Sequence, residues 1–131
     1  MSSINFLNAL WYSLLFFPKS GFDKGHLAPA ADMAWSAESM HDCFYFSNIV
    51  PQRPECNRGI WKQLEENVRK IAKKTDTVKV FSGPVFEGPK KYLGPSAIEL
   101  PSSFYKIIQV CSHNKKNHAL LIYALSAKAI T

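Results

Sequence analysis

The chain contains 131 residues, of which 47% are hydrophobic and 20% are charged. Its length suits one domain rather than two, and its apolar content is sufficient for a core, which excludes an intrinsically disordered chain. Sixteen Lys and Arg against ten Asp and Glu leave a net charge of +6, which favours a polyanionic partner without identifying one. The three cysteines form no CxxC pair, which argues against a disulfide framework and against a zinc site.

The chain opens with an apolar stretch over residues 1–17. The spacing of Leu7, Leu10 and Leu14 suits an amphipathic helix or a segment packed on the core. The stretch is too short for a membrane span, and no stable membrane span is expected. We therefore treat residues 1–20 as an apolar N-terminal segment of unclear role and residues 21–131 as a single domain.

Short elements are predicted for residues 21–50. Two glycines and a proline make residues 21–31 irregular or short-stranded. Residues 36–40 are typical of a brief helix with Ser36 as its N-cap. Residues 44–50 are aromatic and β-branched and predict a buried strand, which Pro51 should end.

The clearest helix is predicted over residues 57–74, after a loop at residues 52–56. Apolar side chains recur along it at spacings of three and four, namely Ile60, Trp61, Leu64, Val68, Ile71 and Ala72. Strands are expected at residues 78–82, 104–110 and 119–125, with Gly83 and Pro84 ending the first of them. A polar turn at residues 113–117 separates the last two.

One histidine stands in a setting that suits catalysis. Gly25 precedes His26 and allows close backbone approach, while Asp23 and Lys24 place both signs of charge nearby. A neutral imidazole near its usual pKa of about 6.5 is able to take a proton from water at neutral pH. The alternative interpretation is a hydrogen-bonded structural histidine.

The predicted helix carries polar groups on one flank. Asn57 and Glu65 are eight residues apart, an angular offset of roughly 80° on a regular α-helix, and Arg69 follows one turn later. Amide and carboxylate oxygens suit Mg²⁺, and arginine matches phosphate geometry. The alternative is an asparagine cap followed by a solvated Glu-Arg pair.

Taken together, these stretches resemble a known family. The segments 23–32 and 46–52, followed by Asn57, Trp61 and Glu65, are similar to the DNA/RNA non-specific endonucleases, the family of endonuclease G and the Serratia-type nucleases. The resemblance implies an α+β fold with a ββα-metal (His-Me) finger, a mixed or antiparallel sheet, and one main helix that carries the metal ligand.

The resemblance also implies roles at a metal site. His26 would be the general base that activates water for attack on phosphorus. Asn57 would bind Mg²⁺ directly, with Mn²⁺ as a possible substitute, and Glu65 would bind the ion through water. Arg69 would act in catalysis and contact phosphate, and Asn48 would support the site from the adjoining strand.

Substrate contacts are implied for Asp23, Lys24 and Arg58 beside Arg69. The implied activity is hydrolysis of DNA and RNA to 5′-phosphate and 3′-hydroxyl ends with little sequence preference. Members are often mitochondrial and dimeric, so a homodimer is expected and a mitochondrial location comes before a secreted one.

Two departures from the family pattern stand out. Lys24 replaces the motif arginine and lacks its planar bidentate fork. Relative to the family the chain also looks truncated at both ends, because only twenty residues precede Gly21 and the final part of the family domain does not follow Leu125. The alternative function is therefore a catalytically weak relative that binds nucleic acid or another partner.

Overall fold

The computed structural model describes residues 17–94, 98–112 and 115–126. The predicted apolar segment therefore lies almost entirely outside the described residues. Residues 113 and 114, the first two of the predicted polar turn, also lie outside them, and the turn is wrong for residues 115–117, which lie in a strand. Everything from the glycine-histidine motif to the predicted helix is described.

The motif residues form the first of two short paired strands. Strand β1 (Asp23–His26) runs antiparallel to strand β2 (Ile49–Gln52), with Asp23 opposite Gln52 and His26 opposite Ile49. Gly25 is required by this pairing because a Cβ atom there would lie 2.5 Å from the Gln52 Oε1 atom and 3.1 Å from the Val50 carbonyl oxygen. The glycine therefore permits close approach of the two strands.

A compact connection joins β1 to β2. It contains a 3₁₀ turn at Ala30–Asp32, helix α1 (Ala37–Asp42) and a second 3₁₀ turn at Phe46–Asn48. Ser36 precedes α1, and its hydroxyl accepts a hydrogen bond from the Ser39 backbone N–H at 3.0 Å. The predicted brief helix and its N-cap are confirmed.

The predicted strand over residues 44–50 is wrong in position. Phe44 and Tyr45 are exposed, and the strand begins only at Ile49 and passes through Pro51. Proline is tolerated there because β2 has a neighbour on one side only among the described strands, so a missing N–H costs no ladder bond on the other side. Aromatic content indicated a strand where the aromatic side chains instead lie at the surface.

The predicted helix over residues 57–74 is divided. A π-helical segment (Cys56–Ile60) precedes helix α2 (Trp61–Lys74), and Gly59 interrupts the helical geometry with φ −104° and ψ −109°. Helical backbone already covers residues 54–55, so the predicted loop at 52–56 is mostly wrong.

The predicted apolar stripe of the helix is only partly buried. Trp61, Leu64 and Val68 are buried, whereas Ile60 and Ala72 are exposed.

The second half of the chain forms one antiparallel sheet. Strands β3 (Thr77–Val85), β4 (Ser103–Ser112) and β5 (Lys115–Ser126) pair in the order β3-β4-β5. The predicted strand end at Gly83 and Pro84 is wrong, because β3 continues to Val85. Gly83 leaves room for the ring of Tyr105, its partner on β4.

The core joins the helix to both sheets. Trp61 and Leu64 from α2 pack with Cys56 and with Phe104 from β4, and Val50 from β2 packs against this cluster. The ring centroids of Trp61 and Phe104 are 5.8 Å apart. The fold is α+β, as predicted, and its core holds the β1-β2 pair next to the start of α2.

Two further expectations concern the described residues. Cys43, Cys56 and Cys111 are free in the structure. None of the helices in the described part of the chain is long and apolar enough to cross a membrane.

Candidate active site

A carboxylate on β1 holds the start of the π-helical segment. The Asp23 carboxylate accepts hydrogen bonds from the Asn57 Nδ2 atom at 2.9 Å and from Arg58 Nε and Nη2, both at 2.8 Å. The bonds from Arg58 hold the pKa of Asp23 below its ordinary value of 3.8. Because the Nδ2 side of the planar amide faces Asp23, the Oδ1 side of Asn57 is directed away from it. The interrupted helix thus presents an oriented amide oxygen.

His26 lies at the end of β1 with its ring partly enclosed. Phe44 contacts the imidazole edge-on, with ring centroids 4.8 Å apart. Among the described residues, the Nε2 atom of His26 is buried and has no hydrogen-bond partner. Burial lowers the pKa of His26 below its ordinary value of 6.5, so the imidazole is neutral at pH 7. A neutral imidazole is able to take a proton from water at a ring nitrogen that solvent reaches, and Nε2 is not that atom because it is buried.

Glu65 lies on α2, one turn after Trp61, and its side chain is half-buried. Burial raises its pKa from 4.5 to about 7, an effect that the positive charges of Lys106 and Arg69 oppose. The indole of Trp61, one turn earlier, donates its N–H to the His26 carbonyl oxygen at 3.2 Å. This bond fixes the helix against the end of β1 and keeps Glu65 near His26.

Both predicted phosphate-binding arginines pair with aspartates. Arg58 pairs with Asp23, and its side chain is nevertheless 72% exposed. The Arg69 Nη1 atom donates to the Asp32 carboxylate at 3.0 Å. A guanidinium has five N–H donors, so each arginine keeps donors beyond those used here.

One open pocket of about 460 Å³ brings most of these predicted residues together. Its polar lining comprises His26, Asn57, Arg58, Lys62, Glu65 and Arg69. Asp23 does not line the pocket, but it accepts a hydrogen bond from Asn57, which does. Lys24 does not line the pocket; its ammonium lies 5.8 Å from the centroid of the Phe17 ring.

Asn48 acts on the loop that follows His26 rather than lining this pocket. Its Oδ1 atom accepts the Ala28 N–H, and its Nδ2 atom donates to the carbonyl oxygens of Ala28 and Cys43, all at 2.8 Å. Its amide is therefore occupied in holding the loop. It lies in the 3₁₀ turn before β2, not in the strand itself as predicted.

Sequence reasoning missed Lys106, which lies behind Glu65. Its side chain is 1% exposed, and its Nζ atom donates to the Ser82 hydroxyl at 2.9 Å. A signal was present: the alternation along β4 puts Lys106 on the same face as Phe104 and Ile108, both buried. A lysine at a core position of a strand requires a polar or oppositely charged partner. The pattern therefore already indicated a buried charged group with a partner to be identified.

The donors in the pocket fit a hydrated divalent cation. Mg²⁺ keeps several waters and usually binds through one or two protein groups, and an amide oxygen and a carboxylate are donors of the required type. Within residues 17–94, 98–112 and 115–126, no group of three or more His, Cys, Asp or Glu is arranged to hold a metal ion. Asn57 and Glu65 supply donors of this type in the pocket.

The order of elements defines the class of protein. Two antiparallel strands followed by a helix, with the histidine on the first strand and the asparagine at the start of the helix, form a ββα-metal finger nuclease core. The family model for DNA/RNA non-specific endonucleases matches residues 6–130. The chain belongs to the DNA/RNA non-specific endonuclease family.

Individual relatives agree with this assignment. Human mitochondrial endonuclease G is 38% identical over 99 residues, which cover 68% of this chain and 33% of that protein. Mitochondrial nuclease EXOG of Xenopus laevis is 40% identical over 101 residues, covering 70% and 28%. The mitochondrial nuclease of Saccharomyces cerevisiae is 39% identical over 104 residues, covering 69% and 31%. The chain thus spans about a third of the length of these relatives.

A solved structure shares the fold. The crystal structure of an EndoG/EndoGI complex, which addresses the mechanism of EndoG inhibition, superposes with a TM-score of 0.80 at 27% sequence identity. The matched region covers 88% of this chain and 51% of that chain. The matched part of this chain therefore corresponds to about half of that chain.

Proposed function

We propose that this chain is a metal-dependent endonuclease that hydrolyses phosphodiester bonds of DNA and RNA without sequence specificity. Family membership supports nuclease chemistry, and the pocket supplies suitable groups. The observation that carries the proposal is the position of His26 in the same pocket as Asn57 and Glu65. A general base, an amide oxygen and a carboxylate are together the minimum that this chemistry needs.

His26 is the general base in this proposal. Its neutral imidazole takes a proton from water as the water oxygen attacks phosphorus. The bond from phosphorus to the 3′-oxygen breaks, so the products carry a 5′-phosphate and a 3′-hydroxyl, and solvent returns a proton to the leaving oxygen. The carbonyl of His26 is fixed by Trp61, which keeps the ring at the pocket wall.

Asn57 and Glu65 would hold a divalent cation, Mg²⁺ or alternatively Mn²⁺. Asn57 would bind it directly through Oδ1, which Asp23 orients by accepting the Nδ2 hydrogen bond. Glu65 would bind it through water. When bound, the ion supplies charge stabilisation for the phosphate and the leaving oxygen.

Arg58 and Arg69 position the phosphate with the N–H groups that their aspartate partners leave available. Asp23 and Lys24 support substrate binding. Asn48 supports the backbone of the loop that follows His26. Contacts of this kind reach phosphate and sugar rather than base edges, so they carry little sequence information. Binding should therefore be non-specific and weaken steeply with salt.

A second function is favoured by one specific observation. The guanidinium groups of Arg58 and Arg69 are both paired with carboxylates, which reduces the positive charge available for a phosphate. Paired arginines would stabilise a transition state less well, while the net charge of +6 still attracts a polyanion. This suits a catalytically weak relative that binds nucleic acid or another partner. It would retain DNA at low salt equally well with and without His26.

Location and assembly are proposed by analogy with the relatives. The names of the human, frog and yeast relatives place those proteins in mitochondria, and we propose the same compartment here, with secretion as the second choice. A homodimer is proposed on the family pattern, and size-exclusion chromatography with light scattering tests it. A monomer at micromolar concentration would remove that part of the proposal.

The test is metal-dependent nicking of supercoiled plasmid. His26→Ala should lower the rate by about 10²–10⁴-fold, the usual contribution of a general base. His41→Ala is the matched control, because His41 is an exposed histidine on α1. Plasmid that stays intact with Mg²⁺ and Mn²⁺ at low salt, or nicking that His26→Ala leaves unchanged, would remove the proposal.

A further inference from the structure

A buried lysine lies directly behind the pocket. Lys106 is near the middle of β4, opposite Ser82 on β3, and only 1% of its surface is exposed. Its ammonium donates to the Ser82 hydroxyl at 2.9 Å and lies 4.4 Å from the centroid of the Trp61 indole ring. A hydroxyl and an aromatic face satisfy the donors of an ammonium but do not neutralise its charge.

A charge in this position needs a counter-charge. Removing an ion from water costs several kcal/mol even after relaxation, so buried lysines are retained next to carboxylates or shift their pKa. Lys106, Glu65 and Asp32 line one cavity of about 450 Å³ on the sheet side of α2. Asp32 is already paired with Arg69 at 3.0 Å. Glu65 and Asp32 both act electrostatically on Lys106, and the effect of Glu65 is the larger of the two.

Glu65 lies between two cavities. On one side it shares a wall with Lys106 and Ser82, and on the other it shares the pocket of His26 and Asn57. The Trp61 ring that contacts the Lys106 ammonium also donates its N–H to the His26 carbonyl oxygen. The lysine thus acts on both halves of the pocket without lining it.

We infer that Lys106 is a positioning residue for the proposed metal site, whose buried ammonium holds the Glu65 carboxylate at the junction of the two cavities, in reach of an ion bound by Asn57. The inference rests on the proposed function. Lys106 touches neither substrate nor the reacting atoms. If its role were only to fill the space beneath α2, an apolar side chain of similar length would serve as well.

Metal affinity separates these two roles. Lys106→Met keeps the length and apolar stem of the side chain, but removing one partner of a buried charge pair is destabilising, so folding is checked by circular dichroism before Mn²⁺ binding is measured. Outer-sphere partners of metal ligands contribute about 10–100-fold to affinity, so the dissociation constant for Mn²⁺, measured by electron paramagnetic resonance, should rise by about that factor. Lys79→Met is the control, because it makes the same charge change at an exposed position on the opposite face of β3.

A double-mutant cycle assigns the effect to Glu65. In a Glu65→Gln background the carboxylate is gone, so Lys106→Met should change the Mn²⁺ dissociation constant by no more than about twofold. An equal loss in both backgrounds would overturn the inference, as would unchanged affinity in a folded Lys106→Met chain. If Lys106→Met does not fold, Ser82→Ala decides: it keeps the charge but removes its hydrogen bond, and it should weaken Mn²⁺ binding by a smaller factor. Unchanged affinity there would also overturn the inference.

The unsubstituted chain separates this inference from the proposed function. Failure of that chain to bind Mn²⁺ would overturn both. Binding and plasmid nicking by the unsubstituted chain, with unchanged affinity in the Lys106 and Ser82 variants, would overturn the inference alone.

Discussion

Asp23→Asn tests how the metal ligand is oriented. The Asp23 carboxylate, whose side chain is only 17% exposed, accepts bonds from Asn57 and from two nitrogens of Arg58. An amide of the same shape has one accepting oxygen and one donating nitrogen, so at least one of these three donors then faces a donor. The amide of Asn57 loses its charged partner and is free to rotate its oxygen away from the pocket.

The size of the effect follows from this geometry. A hydrogen bond to a charged group contributes about 1.5–3 kcal/mol, and the loss of an outer-sphere partner lowers metal affinity by about 10–100-fold. We expect the Mn²⁺ dissociation constant of Asp23→Asn to rise by about that factor, with a matching rise in the Mg²⁺ concentration needed for half-maximal nicking. Asp42→Asn is the control, because it makes the same charge change at an exposed aspartate on α1. Unchanged Mn²⁺ affinity in a folded Asp23→Asn chain would refute this reasoning.

Asp23→Asn should also change how the stability of the chain depends on pH in acid. Because the pKa of Asp23 is lower when folded than its ordinary 3.8, the unfolded chain binds the proton first. The stability contributed by Asp23 is therefore present above pH 3.8 and is lost as the pH falls through the folded value. Acid unfolding of Asp23→Asn should lack this component.

Three further predictions follow from pKa shifts and packing. At saturating Mg²⁺, kcat/KM should rise with pH along a limb whose midpoint lies below 6.5, because burial favours neutral His26; a midpoint above 7 would contradict this. Mn²⁺ affinity should fall about tenfold between pH 8 and pH 6 as Glu65, with a pKa of about 7, takes up a proton, and Glu65→Gln should abolish this dependence. Gly25→Ala should destabilise the chain by about 1–3 kcal/mol in chemical denaturation, since its Cβ would lie 2.5 Å from a Gln52 side-chain atom and 3.1 Å from a backbone oxygen; unchanged stability would show that β1 and β2 separate readily.

Asn57, Glu65 and Arg69 could be grouped from the sequence because they follow one another along one predicted helix. Their link to His26, 31 residues before Asn57, came from the family resemblance and not from local pattern. Ser36 was predictable from local pattern, since an N-cap acts within three residues. The structure brings His26, Asn57, Glu65 and Arg69 to one pocket, as the resemblance implied.

Other features depend on contacts that sequence spacing does not reveal. The 80° offset between Asn57 and Glu65 assumed a regular α-helix, but Gly59 interrupts it, and the orientation of Asn57 comes from Asp23 on another element. Aromatic residues at 44–46 predicted a strand, whereas Phe44 lies exposed with its ring against His26. Tertiary contacts decided the local conformation in both cases.

The pairing of charged side chains was the feature least predictable from the sequence. Arg58 and Arg69 were expected to face phosphate, and each also meets an aspartate more than thirty residues away. Lys106 shows the same limit, because the alternation along β4 places it on the inner face but does not say which carboxylate balances it. Pairings between distant segments require the three-dimensional structure.

The most direct test of the central claim compares Asn57→Ala with His26→Ala in two assays on the same samples. Asn57→Ala should lose both Mn²⁺ binding and plasmid nicking, because it removes the proposed metal ligand. His26→Ala should lose nicking and keep Mn²⁺ binding close to that of the unsubstituted chain, because it removes only the base. Folded variants that both retain nicking, or an Asn57→Ala chain that binds Mn²⁺ as tightly as the unsubstituted chain, would contradict a metal-dependent nuclease site at this pocket.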